Sequence, residues 1–264
     1  MKRVIWKVIL VICLVGVGVS GYNVIRLSKE YREGIKEYAN LEQYVTITQE
    51  PIAEKQVTTD QEVQEEVVKE SLIPVSMDIA YDELKKINEH FTGWIYYEPL
   101  ELSYPIVRGN DNDYYTHYTF ENEQNSSGAI FLDFLNKPDF SNYNTIIYGH
   151  NMRNGTMFGT LKQLLNDTSI QEENPYFYVF TENKAYMYEI FAVYVTTADS
   201  HTYDLIEDEE QQSIYLDYIK GCATWLSDIE VTESDRIATL STCHGLHTNN
   251  RTVVHGKLIV EEDR

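Results

Sequence analysis

Three stretches of different hydrophobic pattern divide the chain. The first runs from Val8 to Ile25 without a charge, after Lys2, Arg3 and Lys7, and reaches the roughly 18 residues that can cross a bilayer. Basic residues on its leading side predict a cytoplasmic N-terminus. Arg26 and Lys29 follow as a polar border, which favours a retained anchor. Gly18-Val19-Ser20 would suit a signal peptidase and keeps a cleaved leader as the alternative. In both readings the remainder lies outside the cytoplasm; in the first, the protein sits in the cell membrane as a single-pass chain with an extracellular domain.

The second stretch, residues 27–77, is rich in Glu, Gln, Lys, Val and Thr and keeps no sustained apolar period, so it reads as an acidic stalk or linker. Its first part could continue as helix from the membrane, with Leu27, Tyr31, Ile35 and Tyr38 three or four apart. The pattern tightens at Asp78, where residues 78–264 are expected to fold as one domain. "DIAYDELKKINEHFTGWI" places Ile79, Leu84, Ile87 and Phe91 on a helical stripe, with Gly93 as a stop.

Beyond it the period shortens to two. "GWIYYE", "LSYPIVRG", "GAIFLDF", "NTIIYGH", "FYVFTE", "KAYMYEIFAVYVT", "RIATLST" and "RTVVHGKLIV" read as strands separated by Asn, Asp, Gly and Pro clusters. Eight such runs predict a closed or nearly closed β-barrel. Two helices interrupt them: one near Leu161 to Leu165, and one from Asp208 to Ser227 with Ile214, Tyr218, Cys222 and Trp225 at helical spacing.

Charge narrows the function. Acidic residues outnumber basic ones 42 to 21, for a net charge of −21, which excludes a nucleic-acid binder, because gripping phosphates needs concentrated Lys and Arg. Of three cysteines, Cys13 lies in the apolar run, leaving Cys222 and Cys243 for the exterior. A disulfide between these two is conceivable, but a domain of this size has enough core to do without it.

Candidate chemistry gathers in "TLSTCHGLHTNNRTVVHG". The strand period puts Ile237, Thr239, Ser241 and Cys243 on one face, and Arg251, Val253 and His255 on one face of the next strand. If the two strands pair through the loop between them, Cys243 and Arg251 stand opposite each other at its ends. A guanidinium there would favour thiolate and could hydrogen-bond an oxyanion formed on a carbonyl attacked by sulfur. Among the seven histidines, His150 has the most informative setting, at the end of the apolar strand "TIIYGHN", where it opens into a Gly/Asn loop.

"YGHNMRNGTMFGTL", followed far downstream by "TLSTC" and then "RTVVHGKL", resembles the sortases, and among them class B. The resemblance spans roughly residues 78 to 262 and includes "YPIVRGNDNDYYTHYTF" and "GAIFLDF". It implies a mainly β fold with helices: an eight-stranded sortase-type barrel, an N-terminal helix and a helix-bearing insertion before the cysteine strand. It also implies a cysteine transpeptidase that cleaves a C-terminal sorting signal of surface proteins, forms a thioester and passes the acyl group to an amine. That motif would be NPxTN-like or a Pro-containing TG variant, and the amine that of a cell-wall precursor or a pilin lysine. Carried over, Cys243 is the nucleophile, His150 the general acid and base, and Arg251 the group that positions substrate and steadies the oxyanion. Ser241 is implied as a hydrogen-bonding neighbour of substrate or Arg251, with Tyr148 and Asn110 or Asn112 nearby. No metal or other cofactor is implied, and no ATP, since the thioester conserves the energy of the broken bond. The chain departs from the family pattern at His244, where class B members often carry an acidic or apolar residue.

Three rival readings remain. Cys243, His244, His247 and His255 could form a zinc site, although Arg251 would then stand beside the metal. A hydrolase of the same fold would use water in place of the amine. A non-enzymatic surface-binding protein would use some of the 21 tyrosines as contacts.

Overall fold

The structure is a computed structural model and describes residues 2–49, 71–206, 208–245 and 249–264. It opens with α1, Lys2–Leu41, whose first half exposes its apolar side chains all round, as a membrane anchor or a signal segment does. The second half is packed. Gly34 lies against Ser127, Asn125 donates to the Glu30 carbonyl, and Tyr38 and Leu41 are buried in the main core.

A strand pair follows, β1 (Val45–Gln49) against β2 (Val75–Ile79). The helical continuation expected from Leu27 to Tyr38 is present, but the helix packs on the domain through Tyr38 and Leu41 and is followed by a strand, where a solvated stalk was expected. Half-polar sequence conceals this, because only one face of each element, with Tyr38 and Leu41 on the helix, is covered. The part of the expected stalk from 50 to 70 lies outside the described residues. Ordered structure resumes before Asp78, with Ile73, Val75 and Met77 buried.

The helical stripe expected over 79–91 is divided. Ile79 ends β2, α2 covers Tyr81–Ile87, and Phe91 starts β3, Phe91–Tyr97. Gly93 therefore lies inside a strand, where its missing side chain admits the Phe180 carbonyl. Then come β4 (Leu102–Val107), α3 (Tyr114–His117), β5 (Ile130–Leu132), β6 (Asn144–Tyr148), α4 (Gln163–Asn166), α5 (Ser169–Glu173), β7 (Tyr176–Phe180) and β8 (Lys184–Thr197). A 3-10 turn at His201–Tyr203 precedes α6 (Glu209–Cys222) and β9 (Trp225–Leu226), and the chain ends with β10 (Ile237–Cys243) and β11 (Asn250–Asp263).

Each of the eight alternating runs is a strand. They pair in the order β11-β10-β6-β5-β4-β3-β7-β8, and β8 pairs back onto β11, so the barrel closes without a free edge among these strands. The pairs β10–β6 and β4–β5 are parallel and the rest antiparallel.

Alternation sends β10 and β11 residues into two separate cores. Ala238, Leu240 and Val254 join the barrel interior, while Ile237 and Val253 face outward into a second cluster with Phe191, Tyr194, Tyr215, Leu216 and Ile219. That outer cluster lies under the segment between β8 and β10. Asp208 caps α6 by accepting from the Gln211 backbone N–H. The buried face of α6 is Tyr215, Leu216 and Ile219, not the expected Ile214 stripe; Ile214 is 64% exposed and Trp225 has left the helix for β9. Cys222 is half-buried beside this cluster, and all three cysteines are free thiols.

Candidate active site

The outward face of β10 carries Thr239, Ser241 and Cys243 toward the insertion. Antiparallel pairing with β11 sets Cys243 opposite Arg251, as the alternation predicted. On the other side β10 runs parallel to β6, with Ser241 level with Tyr148 and the Gly149 N–H donating to the Ser241 carbonyl at 3.1 Å. β6 ends at Tyr148 while β10 runs two residues further to Cys243, and the same register carried past the end of β6 brings His150 level with Cys243. Asn151 fixes the match: its Nδ2 donates to the Cys243 carbonyl at 2.7 Å. A cleft of about 430 Å³ opens here, lined among others by Asn112, Asp133, Tyr148, His150, Tyr203, Ser241, Cys243 and Arg251.

The tautomer of His150 follows from its partner. Nε2 lies 2.7 Å from the Thr116 carbonyl, which can only accept, so Nε2 holds the hydrogen and a neutral ring keeps its lone pair on Nδ1. Burial pushes the His150 pKa below the ordinary imidazole value, and the positive charge of Arg251 adds to this, against the opposing pull of the Thr116 carbonyl. Gly128 lies against the ring. Its φ is +54°, and a Cβ there would stand 2.9 Å from His150 Cδ2 and 2.5 Å from the Tyr115 carbonyl oxygen, so only glycine fits. The Gly128 carbonyl accepts from the Tyr38 hydroxyl at 2.7 Å, which connects α1 to the floor under His150.

Tyr148 and Asn112 both donate to Oδ2 of Asp133, each at 2.9 Å, and Asn112 Oδ1 accepts from the Phe134 N–H. Burial raises the Tyr148 pKa, and the Asp133 carboxylate adds to it. Both residues are therefore tied to the cleft wall through one carboxylate. Asn110, the other candidate, is not among the lining residues. The Ser241 hydroxyl, fully buried, pairs with the Tyr203 hydroxyl at 2.8 Å and not with Arg251. Tyr203 also stacks on Tyr148, with ring centroids 6.0 Å apart, and burial raises its pKa to about 12.

Thr116, Asp133, Asn151 and Tyr203 were not legible as site residues. Asp133 left one trace, as the only charge in the apolar run "GAIFLDF", and Asn151 directly follows the informative histidine. Tyr203 left none, because a long insertion folds it back over the cleft.

Among the described residues the zinc grouping is not assembled. His255 is buried four residues from Arg251, engaged with Thr239 and Tyr194, and His244 bonds Thr252. His247 lies outside the described residues, among which no group of three or more Cys, His, Asp or Glu side chains converges.

Comparison with known proteins identifies the family and the fold. The family described as the sortase domain matches residues 95–259. A sortase B of Listeria monocytogenes is 38% identical over 185 residues, covering 68% of this chain and 74% of the relative. The crystal structure of Bacillus anthracis sortase B in complex with AAEK1 superposes with a TM-score of 0.68 at 31% identity, covering 88% of this chain and 98% of that one. A Staphylococcus aureus sortase B–substrate complex gives a TM-score of 0.63 at 35% identity, covering 68% and 84%.

Proposed function

The chain belongs to the sortase family, in its B class of cysteine transpeptidases, and we propose that its cleft cleaves a C-terminal sorting signal and joins the released carbonyl to an amine. One observation carries the residue assignment: β10 sets Cys243 between His150, level with it across the parallel β6, and Arg251, opposite it on β11.

Cys243 Sγ attacks the scissile carbonyl as His150 Nδ1 takes the thiol proton. The Arg251 guanidinium meets the oxyanion that develops. Collapse breaks the C–N bond, His150 returns the proton to the leaving amine, and a thioester remains. The acceptor amine then attacks this thioester, gives its proton to His150, and restores the thiol. A lowered His150 pKa suits both roles, since the neutral ring is available as base and its conjugate acid gives the proton up readily.

Tyr148, Asn112, Ser241 and Tyr203 form the walls that would hold the signal peptide in extended form beside Cys243. The substrate motif in this reading is NPxTN-like or a Pro-containing TG variant. The acceptor is a cell-wall precursor amine or a pilin lysine. Residues 1–26 serve as cytoplasmic tip and membrane anchor, with the catalytic domain on the outside of the cell membrane, supported by the exposed apolar part of α1.

Product analysis tests the transpeptidase against its hydrolytic alternative. A peptide of the NPxTN pattern incubated with and without triglycine should give the amide adduct only when the amine is present. Free acid alone in both reactions sinks the transpeptidase reading, and cleavage by Cys243→Ala sinks the nucleophile.

A further inference from the structure

His255 lies on the same outward face as Arg251, two layers deeper in the barrel wall, and is fully buried. Its Nδ1 is 2.9 Å from Thr239 Oγ1, and its Nε2 is 2.9 Å from the Tyr194 hydroxyl. These contacts extend into a closed ring. Thr239 Oγ1 donates to Asn144 Oδ1 at 2.6 Å, Asn144 Nδ2 donates to the Tyr215 hydroxyl at 2.7 Å, and Tyr215 donates to the Thr202 carbonyl at 2.8 Å. Thr202 Oγ1, 2.9 Å from the Tyr194 hydroxyl, completes the circuit.

With His255 carrying a single proton, one arrangement of hydrogens satisfies all six contacts. The Thr202 carbonyl can only accept, which commits the Tyr215 proton to it and turns the Asn144 NH2 toward Tyr215. Asn144 Oδ1 must then accept from Thr239, so Thr239 accepts from His255 Nδ1–H. Nε2 is left as the acceptor for Tyr194, and Tyr194 accepts from Thr202. A second proton on His255 would turn Nε2 into a donor and force the Tyr194–Thr202 bond to reverse, with Tyr194 donating to Thr202 Oγ1. Burial opposes that proton and lowers the His255 pKa to about 3.

The ring includes four barrel residues, Asn144, Tyr194, Thr239 and His255, and two from the insertion, Thr202 and Tyr215. Thr202 is bound twice, by its side chain and its carbonyl, and the next residue is Tyr203, the cleft wall that pairs with Ser241 and stacks on Tyr148. We infer that His255 is a positioning residue for substrate: through Tyr194 and Thr202 it locks the His201–Tyr203 turn so that Tyr203 presents a fixed wall to the sorting-signal peptide. The inference rests on the sortase reading of the cleft. His255 touches neither Cys243 nor His150, so its effect belongs to peptide binding rather than to bond breaking. A buried polar ring with every member satisfied specifies one arrangement, whereas a broken one leaves unpaired groups and lets the turn shift.

The test uses the full chain in detergent and a quenched-fluorescence peptide of the NPxTN pattern. His255→Phe keeps the ring volume among Phe191, Tyr194 and Tyr215 but removes both nitrogens. Tyr194→Phe and Thr202→Val each delete one link with smaller change in shape and carry the test where His255→Phe does not fold. Each variant should raise KM about fivefold, the effect of one hydrogen bond, with kcat within about twofold. His255→Gln, which can still donate and accept, should recover part of the loss. In a double-mutant cycle with Tyr203→Ala, the ring variant should add little further increase in KM, because both act through one wall. The inference is overturned if KM stays within twofold of the parent while the melting temperature falls, if kcat alone drops, or if the two changes add independently. Failure of the sortase reading looks different: the parent protein itself would show no cleavage that depends on Cys243.

Discussion

The Asn151 side-chain amide holds the Cys243 backbone carbonyl at 2.7 Å, so the residue after His150 grips the residue expected to attack. Two strands that are not neighbours in sequence are thereby fixed in height at their ends. Asn151→Ala leaves that half-buried carbonyl without its partner and frees the His150 loop from β10. It should lower kcat about tenfold and change KM little, since what is lost is alignment of the reacting groups rather than peptide contact. Steady-state kinetics of the variant check this, and an unchanged kcat would show that Gly149 alone keeps the strands in register.

The acid limb of kcat/KM should lie below pH 6.5. Burial and the Arg251 charge lower the His150 pKa, so the imidazole stays neutral, and able to act as base, to a lower pH than a free histidine. Arg251→Gln removes the positive charge beside it and should move that limb upward, while reducing kcat by on the order of a hundredfold through loss of the oxyanion partner. A pH profile of both proteins measures the two effects separately.

Folding stability should fall as pH drops from 6.5 toward 3. His255 is neutral in the folded state down to about pH 3 but takes a proton near 6.5 when unfolded. Between these values the unfolded chain binds more protons, so stability increases with pH across the window and is lost on acidification. His150 contributes in the same direction. Urea titrations at pH 7 and pH 4 should show a smaller pH dependence for His255→Phe than for the parent.

Tyr38→Phe should lower the melting temperature and reduce kcat. The hydroxyl donates to the Gly128 carbonyl and accepts from the Phe120 N–H, and Gly128 lies against the His150 ring. Leaving that carbonyl unpaired in a buried place costs about 1–3 kcal/mol. A fragment beginning at Asp78 loses all of α1 together with β1, so it should be less stable and less active than one beginning near Arg26. Differential scanning calorimetry and peptide cleavage on the two fragments decide this.

The barrel was legible because strands leave a period of two and are punctuated by turn residues, and all eight runs are where that pattern placed them. The opposition of Cys243 and Arg251 was legible for the same reason, since alternation and a single loop fix it. His150 was found through its strand end and the family resemblance. What remained hidden depends on contacts that run between distant segments. The docking of Tyr38 on Gly128, the fold-back of Tyr203 onto Ser241, and the pairing of His255 with Tyr194 are set by packing and leave no local period. In the sequence His255 stood out only as a possible zinc ligand near Cys243; it is instead part of the buried ring beneath the site. Helix α6 was located but rotated, because Tyr215 and Leu216 face the barrel where the sequence period suggested Ile214.

The central claim is that Cys243 forms a thioester with a sorting-signal peptide, and mass spectrometry of the intact protein tests it most directly. The parent chain mixed with a peptide of the NPxTN pattern, quenched in acid within seconds, should carry an added mass equal to the N-terminal cleavage fragment less one water. Digestion should place that mass on Cys243, hydroxylamine should release it, and Cys243→Ala should show none. An adduct mapped to Cys222, or cleavage of the peptide by Cys243→Ala, would contradict the account.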